Sequence, residues 1–232
     1  MKKSAVFLLL PILVSFMVPV KKSPVAHDLR VIRSANGKLY IRSSIVGGLR
    51  LSWLYLGNDG VFVVNPKHGA DPVNFAMEKQ DNAANTGHYT ATAKMITVRY
   101  ENGKTESWPV EYLNGRLNTI DGLFAAPSPV MPAGYKISGK YSSGTFYMNV
   151  GNIRTFIFNE NGSFTLDGEG FINNSVAAAH ASKSKGGTYT VYGNTLKLNF
   201  DTGETSSSVI GIYNAGSSRF LVINDSFFSQ GK

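Results

Sequence analysis

Thr195-Leu196-Lys197-Leu198-Asn199-Phe200 alternates polar and apolar side chains directly after the tight-turn pair Gly193-Asn194. Successive side chains of a strand face opposite ways, so Leu196, Leu198 and Phe200 share a buried face, and Lys197 and Asn199 face water. The same alternation stands 100 residues earlier in Ile96-Thr97-Val98-Arg99-Tyr100. Working outward, Gly103 matches Gly203, and Gly87-His88-Tyr89 matches Gly187-Thr188-Tyr189. Further out, Gly37-Lys38-Leu39 matches Gly139-Lys140-Tyr141, and the turn Asn58-Asp59-Gly60 matches Glu160-Asn161-Gly162. Ile120-Asp121-Gly122-Leu123-Phe124 matches Ile223-Asn224-Asp225-Ser226-Phe227. These matches keep one order, at offsets of 100 to 103, and describe two tandem copies of one β unit.

Turn chemistry gives the copies their topology. Asp59-Gly60, Asn102-Gly103, Asn114-Gly115 and Asn161-Gly162 reach positive φ at low cost and close short hairpins. Strands joined in this way are antiparallel neighbours, so each copy reads as an up-and-down meander of about seven strands. The expected fold is all-β: two tandem antiparallel β-meander copies forming small barrels or sandwiches, each with one long loop or short helix. The expected organisation is a signal peptide over 1–26, a first repeat over 27–124, a Pro-rich linker over 125–134 and a second repeat over 135–232. Trp53-Leu54-Tyr55-Leu56 is apolar at every position, which predicts a strand covered on both faces or resting against the other copy.

Two segments of about 20 residues break the meander, near Asn65 to Thr86 and near Asp167 to Gly186, and connections this long fold or serve a function. In the first, Asp71 is the expected helix cap with Pro72 at the first helical position, followed by Val73, Phe75, Met77 and Glu78. In the second, Ser175 is the expected cap of a helical turn over Val176 to Ala181.

Lys2 and Lys3 precede an apolar run from Ala5 to Val20, the pattern of an export signal, with Ala26 as the expected cleavage point. The chain is therefore expected to be exported, periplasmic or extracellular, with no integral membrane span after cleavage. The formal charge of +8 changes meaning with it: residues 1–26 hold four lysines and no acid, leaving 19 basic against 15 acidic residues, a net +4. The remaining cations are scattered, whereas a nucleic-acid surface clusters them against phosphates, so no nucleic-acid partner is expected. An outer-membrane barrel needs strands of about 9–11 residues, longer than the about 5–7 expected for most strands here.

With no cysteine, the chain has no thiolate ligand, thiol nucleophile or disulfide. His27, His68, His88 and His180 are too far apart in sequence for a local metal pair. Phosphate-loop, dinucleotide and Gly-x-Ser-x-Gly fingerprints are missing from the sequence. Asp201 and Glu204 flank a hairpin turn and read as solvated, and no acid is expected to be buried. The expectation is no enzyme, no cofactor and no metal.

Thr155-Phe156-Ile157-Phe158, an Asn-Gly turn, Ser163-Phe164, then Gly187-Thr188-Tyr189-Thr190-Val191 and Gly193 to Leu198, closed by Phe220 to Ile223, resemble the lipocalin-like small β-domains of exported bacterial proteins. That resemblance implies a non-catalytic protein binding an apolar small molecule or an envelope component. The ligand- or partner-binding candidates are Trp53, Tyr55, Phe75, Trp108, Tyr112 and Phe171. Trp108 and Tyr112 share strand parity, and Pro109 directly after Trp108 suggests an edge strand or a bulge, the former with protruding aromatics. Such an edge defines the alternative, a structural or protein-interaction module. A hydrolase using scattered carboxylates is the remaining alternative. A continuous apolar cavity separates the first reading from the second.

Overall fold

The computed structural model describes residues 37–45, 49–70, 73–147, 150–174, 177–215 and 218–231. The expected export signal lies outside the described residues. The first copy is built from β1 (Lys38–Ser44), β2 (Arg50–Leu56), β3 (Val61–Val64), β4 (Thr86–Ala91), β5 (Met95–Tyr100), β6 (Thr105–Leu113), β7 (Arg116–Ile120) and β8 (Leu123–Pro127). The second holds β9 (Gly139–Tyr147), β10 (Val150–Phe158), β11 (Ser163–Asn174), β12 (Ala177–Tyr192), β13 (Thr195–Phe200), β14 (Thr205–Ala215), β15 (Ser218–Ile223) and β16 (Ser226–Gln230). Every neighbouring pair is antiparallel, β1 closes on β8 and β9 on β16, so the chain forms two tandem closed barrels. Each copy has eight strands rather than the expected seven, because the closing strand after the Asp121-Gly122 and Asn224-Asp225 turns pairs back to the first.

The repeat extends to single hydrogen bonds. Gly60 and Gly162 take φ of +81° and +89° in the turns after β2 and β10, a conformation that glycine adopts without strain. Their carbonyls accept from Tyr89 N at 2.7 Å and Tyr189 N at 2.8 Å. Leu196, Leu198, Ile96 and Val98 face the lumens, as their alternation predicts.

The lumen of the first barrel is packed by Tyr40, Leu54, Leu56, Phe62, Ile96, Val98, Trp108, Val110 and Ile120. The second is more aromatic: Tyr141, Phe156, Phe158, Phe164, Tyr189 and Phe228 meet there, with Phe156 and Phe158 stacked at 5.1 Å. Odd-numbered residues of β1 and β2 point outward and form a third cluster. Leu39, Ile41, Leu51, Trp53 and Tyr55 pack against Val209, Tyr213, Phe220 and Val222 of β14 and β15. The two barrels thus share an apolar seam, in the manner of facing sheets.

The two irregular segments differ. In the first copy, helix α1 (Phe75–Asp81) is capped by Asn74, whose side chain accepts from Met77 N at 3.2 Å. The expected cap, Asp71, and Pro72 lie outside the described residues. In the second copy, Ala177 to Ala181 is strand, not helix: β11 and β12 form one ladder from Ser163 opposite Thr188 to Asn174 opposite Ala177. Ser175 lies outside the described residues. Strands β9 to β12 and β14 run 9 to 16 residues, longer than expected. No helix among the described residues is long and apolar enough to cross a membrane, a statement that does not extend to strands.

The proline-rich connection is shorter and more tightly held than its composition suggests. Ala125 to Pro127 belong to β8. Met131 bridges Gly193 and, with Ile137, enters the core of the second barrel.

Candidate functional site

The six sequence candidates do not converge. Trp53 is 1% exposed in the inter-barrel seam, and its indole Nε1 donates to the Asn224 carbonyl. Tyr55 packs in the same seam. Phe75 opens α1 and meets His88 edge-on at 5.8 Å. Trp108 and Tyr112 face the lumen of the first barrel. Phe171 lies in β11 opposite His180, and its side chain falls outside the described residues.

Trp108 corrects the edge-strand expectation. A closed barrel has no edge at β6, which pairs with β5 and β7. Pro109 is tolerated because it opposes Met95, the first residue of β5, where the ladder ends. The bulge lies two residues further on, between Glu111 and Tyr112. Trp108 instead sits edge-on to Phe62 at 5.5 Å and to Tyr100 at 6.4 Å.

Above these rings the lumen turns polar. Glu106 Oε2 accepts from Tyr100 Oη at 2.8 Å and Trp108 Nε1 at 3.0 Å, while Oε1 pairs with Lys104 Nζ. Lys104, then Trp108 and Tyr100, hold the Glu106 carboxyl down at about 2. Burial, reinforced by the hydrogen bond to Glu106, pushes the Tyr100 phenol well above its ordinary value. Arg42 reaches over Trp108, with its guanidinium carbon 5.6 Å from the ring centroid, a cation–π contact. Arg42 is 5% exposed, and its Nε has no hydrogen-bond partner among the described residues. Burial lowers its pKa, against the pull of Asp121 and Tyr100. Burial raises the Asp121 carboxyl, with Arg42 opposing.

The same end of the first barrel has an opening. A cavity of about 430 Å³ is lined by Ser43, Ser44, Arg50, Leu51, Ser52 and Leu123. Ser44 lies opposite Arg50, one layer beyond the Arg42–Ser52 pair, on the lumen face, whereas Ser43 lies opposite Leu51 on the outer face, so the cavity spans the end of the β1–β2 hairpin and Arg42 does not line it. The next residues along the chain are Ile45, Leu49 and Phe124, which are 73%, 62% and 55% exposed. The cavity is therefore lined by one guanidinium, three hydroxyls and two leucines, with exposed apolar residues next to it along the chain.

A second cleft, of about 360 Å³, lies where the barrels meet, lined by Trp53, Asn65, Pro66, Lys67, Asn82, Asn85, Asn224 and Asp225. Its amides are already engaged. Asn65 and Asn224 accept from Trp53 N and Val209 N, and Asn82 donates to Val64 and Asn65 carbonyls and to Glu78. These groups hold the seam and the β3–β4 loop together.

Sequence reasoning missed Arg42, Arg50 and Glu106. A signal was present: Tyr40, Arg42 and Ser44 share one parity, so the face carrying Arg42 is the face carrying Tyr40. It was masked because β1 is buried on both faces. Glu78 is a second miss: this carboxylate is fully buried, contrary to the expectation that no acid is. Asp201 is exposed, and Glu204 pairs with Lys185 at 2.9 Å. Among the described residues no group of three or more histidines and acids is arranged to hold a metal.

Comparison with protein-family models, with curated proteins and with solved structures finds no match for this chain. The class it falls in is defined by its own geometry: a tandem, seam-packed pair of eight-stranded meander barrels.

Proposed function

We propose that this chain is an exported, non-catalytic, lipocalin-like binding protein that takes an apolar small molecule at the mouth of its first barrel. The observation that carries this reading is a cavity of about 430 Å³ lined in part by Leu51 and Leu123, with the exposed Ile45, Leu49 and Phe124 adjoining its lining residues along the chain. Large apolar side chains clustered at a cavity rim mark a ligand or interaction surface, whereas scattered ones do not. The centres of both lumens are filled by their own side chains, which removes the continuous apolar cavity expected of a ligand held deep in a barrel and confines this reading to the mouth. The interaction-module alternative loses its main support, since closure leaves β6 no edge.

Titration with 1-dodecanol, followed by calorimetry and native mass spectrometry, tests the reading. The expected result is a one-to-one complex that weakens at least tenfold in an Ile45→Ser, Leu49→Ser double variant. Absence of a complex, or equal binding by the double variant, overturns it.

A further inference from the structure

The cleft of about 360 Å³ where the barrels meet shares no lining residue with the cavity at the first barrel's mouth. Asparagine supplies four of its eight lining residues, so amide chemistry sets what it can bind. Hydrogen bonds to the protein fix which way each amide is turned. Asn65 and Asn224 accept through Oδ1 from the backbone N–H groups of Trp53 and Val209, and a backbone N–H can only donate. The Nδ2 ends are therefore the ones that remain. That of Asn224 donates to Ser208 Oγ at 3.3 Å, whereas that of Asn65 has no partner among the described residues. Asn82 donates through Nδ2 to the Val64 and Asn65 carbonyls, so its Oδ1 is the acceptor for Asn85 Nδ2 at 2.8 Å. Asn85 Oδ1 is then left as an acceptor without a partner among the described residues. Asp225 uses Oδ1 to accept from the neighbouring Ser226 hydroxyl at 3.2 Å and leaves Oδ2 in the same state. Lys67 Nζ donates to the Asp81 carbonyl at 2.6 Å, and an ammonium has further N–H groups to give.

We propose that this cleft binds one pyranose unit of a glycan, with Asn65 Nδ2 and Lys67 Nζ donating to its hydroxyl oxygens and Asn85 Oδ1 and Asp225 Oδ2 accepting from its hydroxyls. A hydroxyl both donates and accepts, so a ring of neighbouring hydroxyls calls for donors and acceptors side by side. The other ligand chemistries fit less well. An anion would face Asp225 and Asn85 Oδ1, a cation would face Lys67 and Asn65 Nδ2, and an apolar molecule would leave all four without partners. Trp53 and Pro66, which line the cleft and are buried, give its floor an apolar surface for the C–H groups of the ring. The volume lies near the lower end of the about 300–1,000 Å³ usual for ligand pockets, which suits a single ring. Since Asn65 and Asn85 are already held by Trp53 N and Asn82, binding costs little of their side-chain freedom. Asn65, Lys67 and Asn85 stand on the β3–β4 loop and Asp225 on the turn between β15 and β16, so the sugar touches both barrels.

The test follows the side-chain amide signals of the isotope-labelled full chain by nuclear magnetic resonance. Methyl pyranosides of glucose, galactose, mannose and N-acetylglucosamine are added in millimolar steps. Tetrahydropyran-2-methanol, which keeps the ring but lacks the neighbouring hydroxyls, is the control. At least one pyranoside is expected to shift the Asn65 and Asn85 amide signals saturably, and the control to shift neither. Asp225→Ala is expected to weaken that binding at least fivefold with the fold intact, because Asp225 is exposed and its carboxylate bonds only Ser226 among the described residues. Asn85→Ala, which removes the other acceptor, is expected to do the same. No saturable shift with any of the four pyranosides overturns the proposal, and so does an equal shift by the control. Saturable binding that neither variant weakens overturns it as well, placing the sugar elsewhere. None of these outcomes bears on the apolar ligand at the barrel mouth, which has its own lining and its own probe.

Discussion

Glu106 shows how a single side chain can organise one end of a barrel. Its two oxygens gather Lys104, Tyr100 and Trp108, and the carboxyl is held at about 2 against an ordinary value of 4.5. A carboxylate depressed on folding adds stability that is complete above its unfolded pKa and disappears as pH falls through the folded one. The contribution from Glu106 is therefore full above about pH 4.5 and lost between there and about pH 2. Glu106→Gln is expected to lower stability at pH 7 by about 1–3 kcal/mol, the scale of charge-assisted hydrogen bonds. It should also flatten the acid limb of a plot of urea midpoint against pH. An unchanged limb would place the acid sensitivity elsewhere. Glycine acts at the same scale by what it omits. A Cβ at Gly87 would lie 2.1 Å from the Arg99 carbonyl oxygen, and one at Gly187 would lie 2.1 Å from that of Asn199. Backbone cannot retreat from such a clash, so Gly87→Ala and Gly187→Ala are each expected to destabilise by more than about 2 kcal/mol by thermal denaturation. The paired Gly-x-Tyr motifs were readable in the sequence as a repeat, but their cause, a close approach of β4 to β5 and of β12 to β13, was not. The polar mouth was less legible still. Arg42 stands in Leu39-Tyr40-Ile41-Arg42, where neither parity is polar enough to mark the wet face.

At the scale of the element, the two long segments show why local preference is a weak guide. Alanines 177 to 179 are strong helix formers, yet they extend β12, because a hairpin once closed offers each residue a ladder partner on β11. In the first copy the corresponding segment has no such partner and folds on its own polar anchor. Glu78 is fully buried, and its Oε1 accepts from Lys67 N at 2.7 Å and His68 N at 2.8 Å, while Oε2 accepts from Asn82 Nδ2 at 3.1 Å. One carboxylate thereby ties the entrance of the β3–β4 loop to its helix and its exit. Turn chemistry and alternation made the strands legible; this anchor was not, since a glutamate in a mildly amphipathic turn reads as solvent-facing. Glu78→Ala strips two backbone N–H groups and one amide of their acceptor, at a cost of about 2–4 kcal/mol. The expected signature is local: protease cleavage between residues 65 and 85 at temperatures where the barrels remain folded. Equal resistance to cleavage in parent and variant would show that the helix is held by its packing alone.

At the scale of the molecule, the seam decides whether two barrels behave as two domains or one. Its centre is Trp53, buried on β2 opposite Ile41 and hydrogen-bonded through its indole to the Asn224 carbonyl in the second copy. Room for the ring comes from Gly211 on β14, where a Cβ would lie 2.7 Å from Trp53 Cη2. Gly69 makes the same concession: it takes φ of +95°, a Cβ there would lie 2.4 Å from Thr195 Oγ1, and the neighbouring Ala70 N donates to that hydroxyl at 3.0 Å. Asn194 then fastens the connection, donating to Ser128 Oγ at 3.0 Å and the Pro129 carbonyl at 2.9 Å. With an apolar cluster, two glycine clearances and a clamped linker, unfolding one barrel strips the apolar seam of the other. The whole chain is therefore expected to melt in a single calorimetric transition, despite containing two closed barrels. Trp53→Ala removes the largest side chain of the seam and should cost about 3–5 kcal/mol. For a chain of this size that lowers the midpoint by about 6–20 °C. More tellingly, it should separate the single transition into two, because each lumen keeps its own core while the coupling between them is lost. Gly211→Val attacks the same contact from the other barrel, and should split the transition in the same way without touching Trp53. If the parent chain already melts in two steps, or if neither variant splits it, the seam is a contact between independent domains and the barrels are coupled only through residues 128–138.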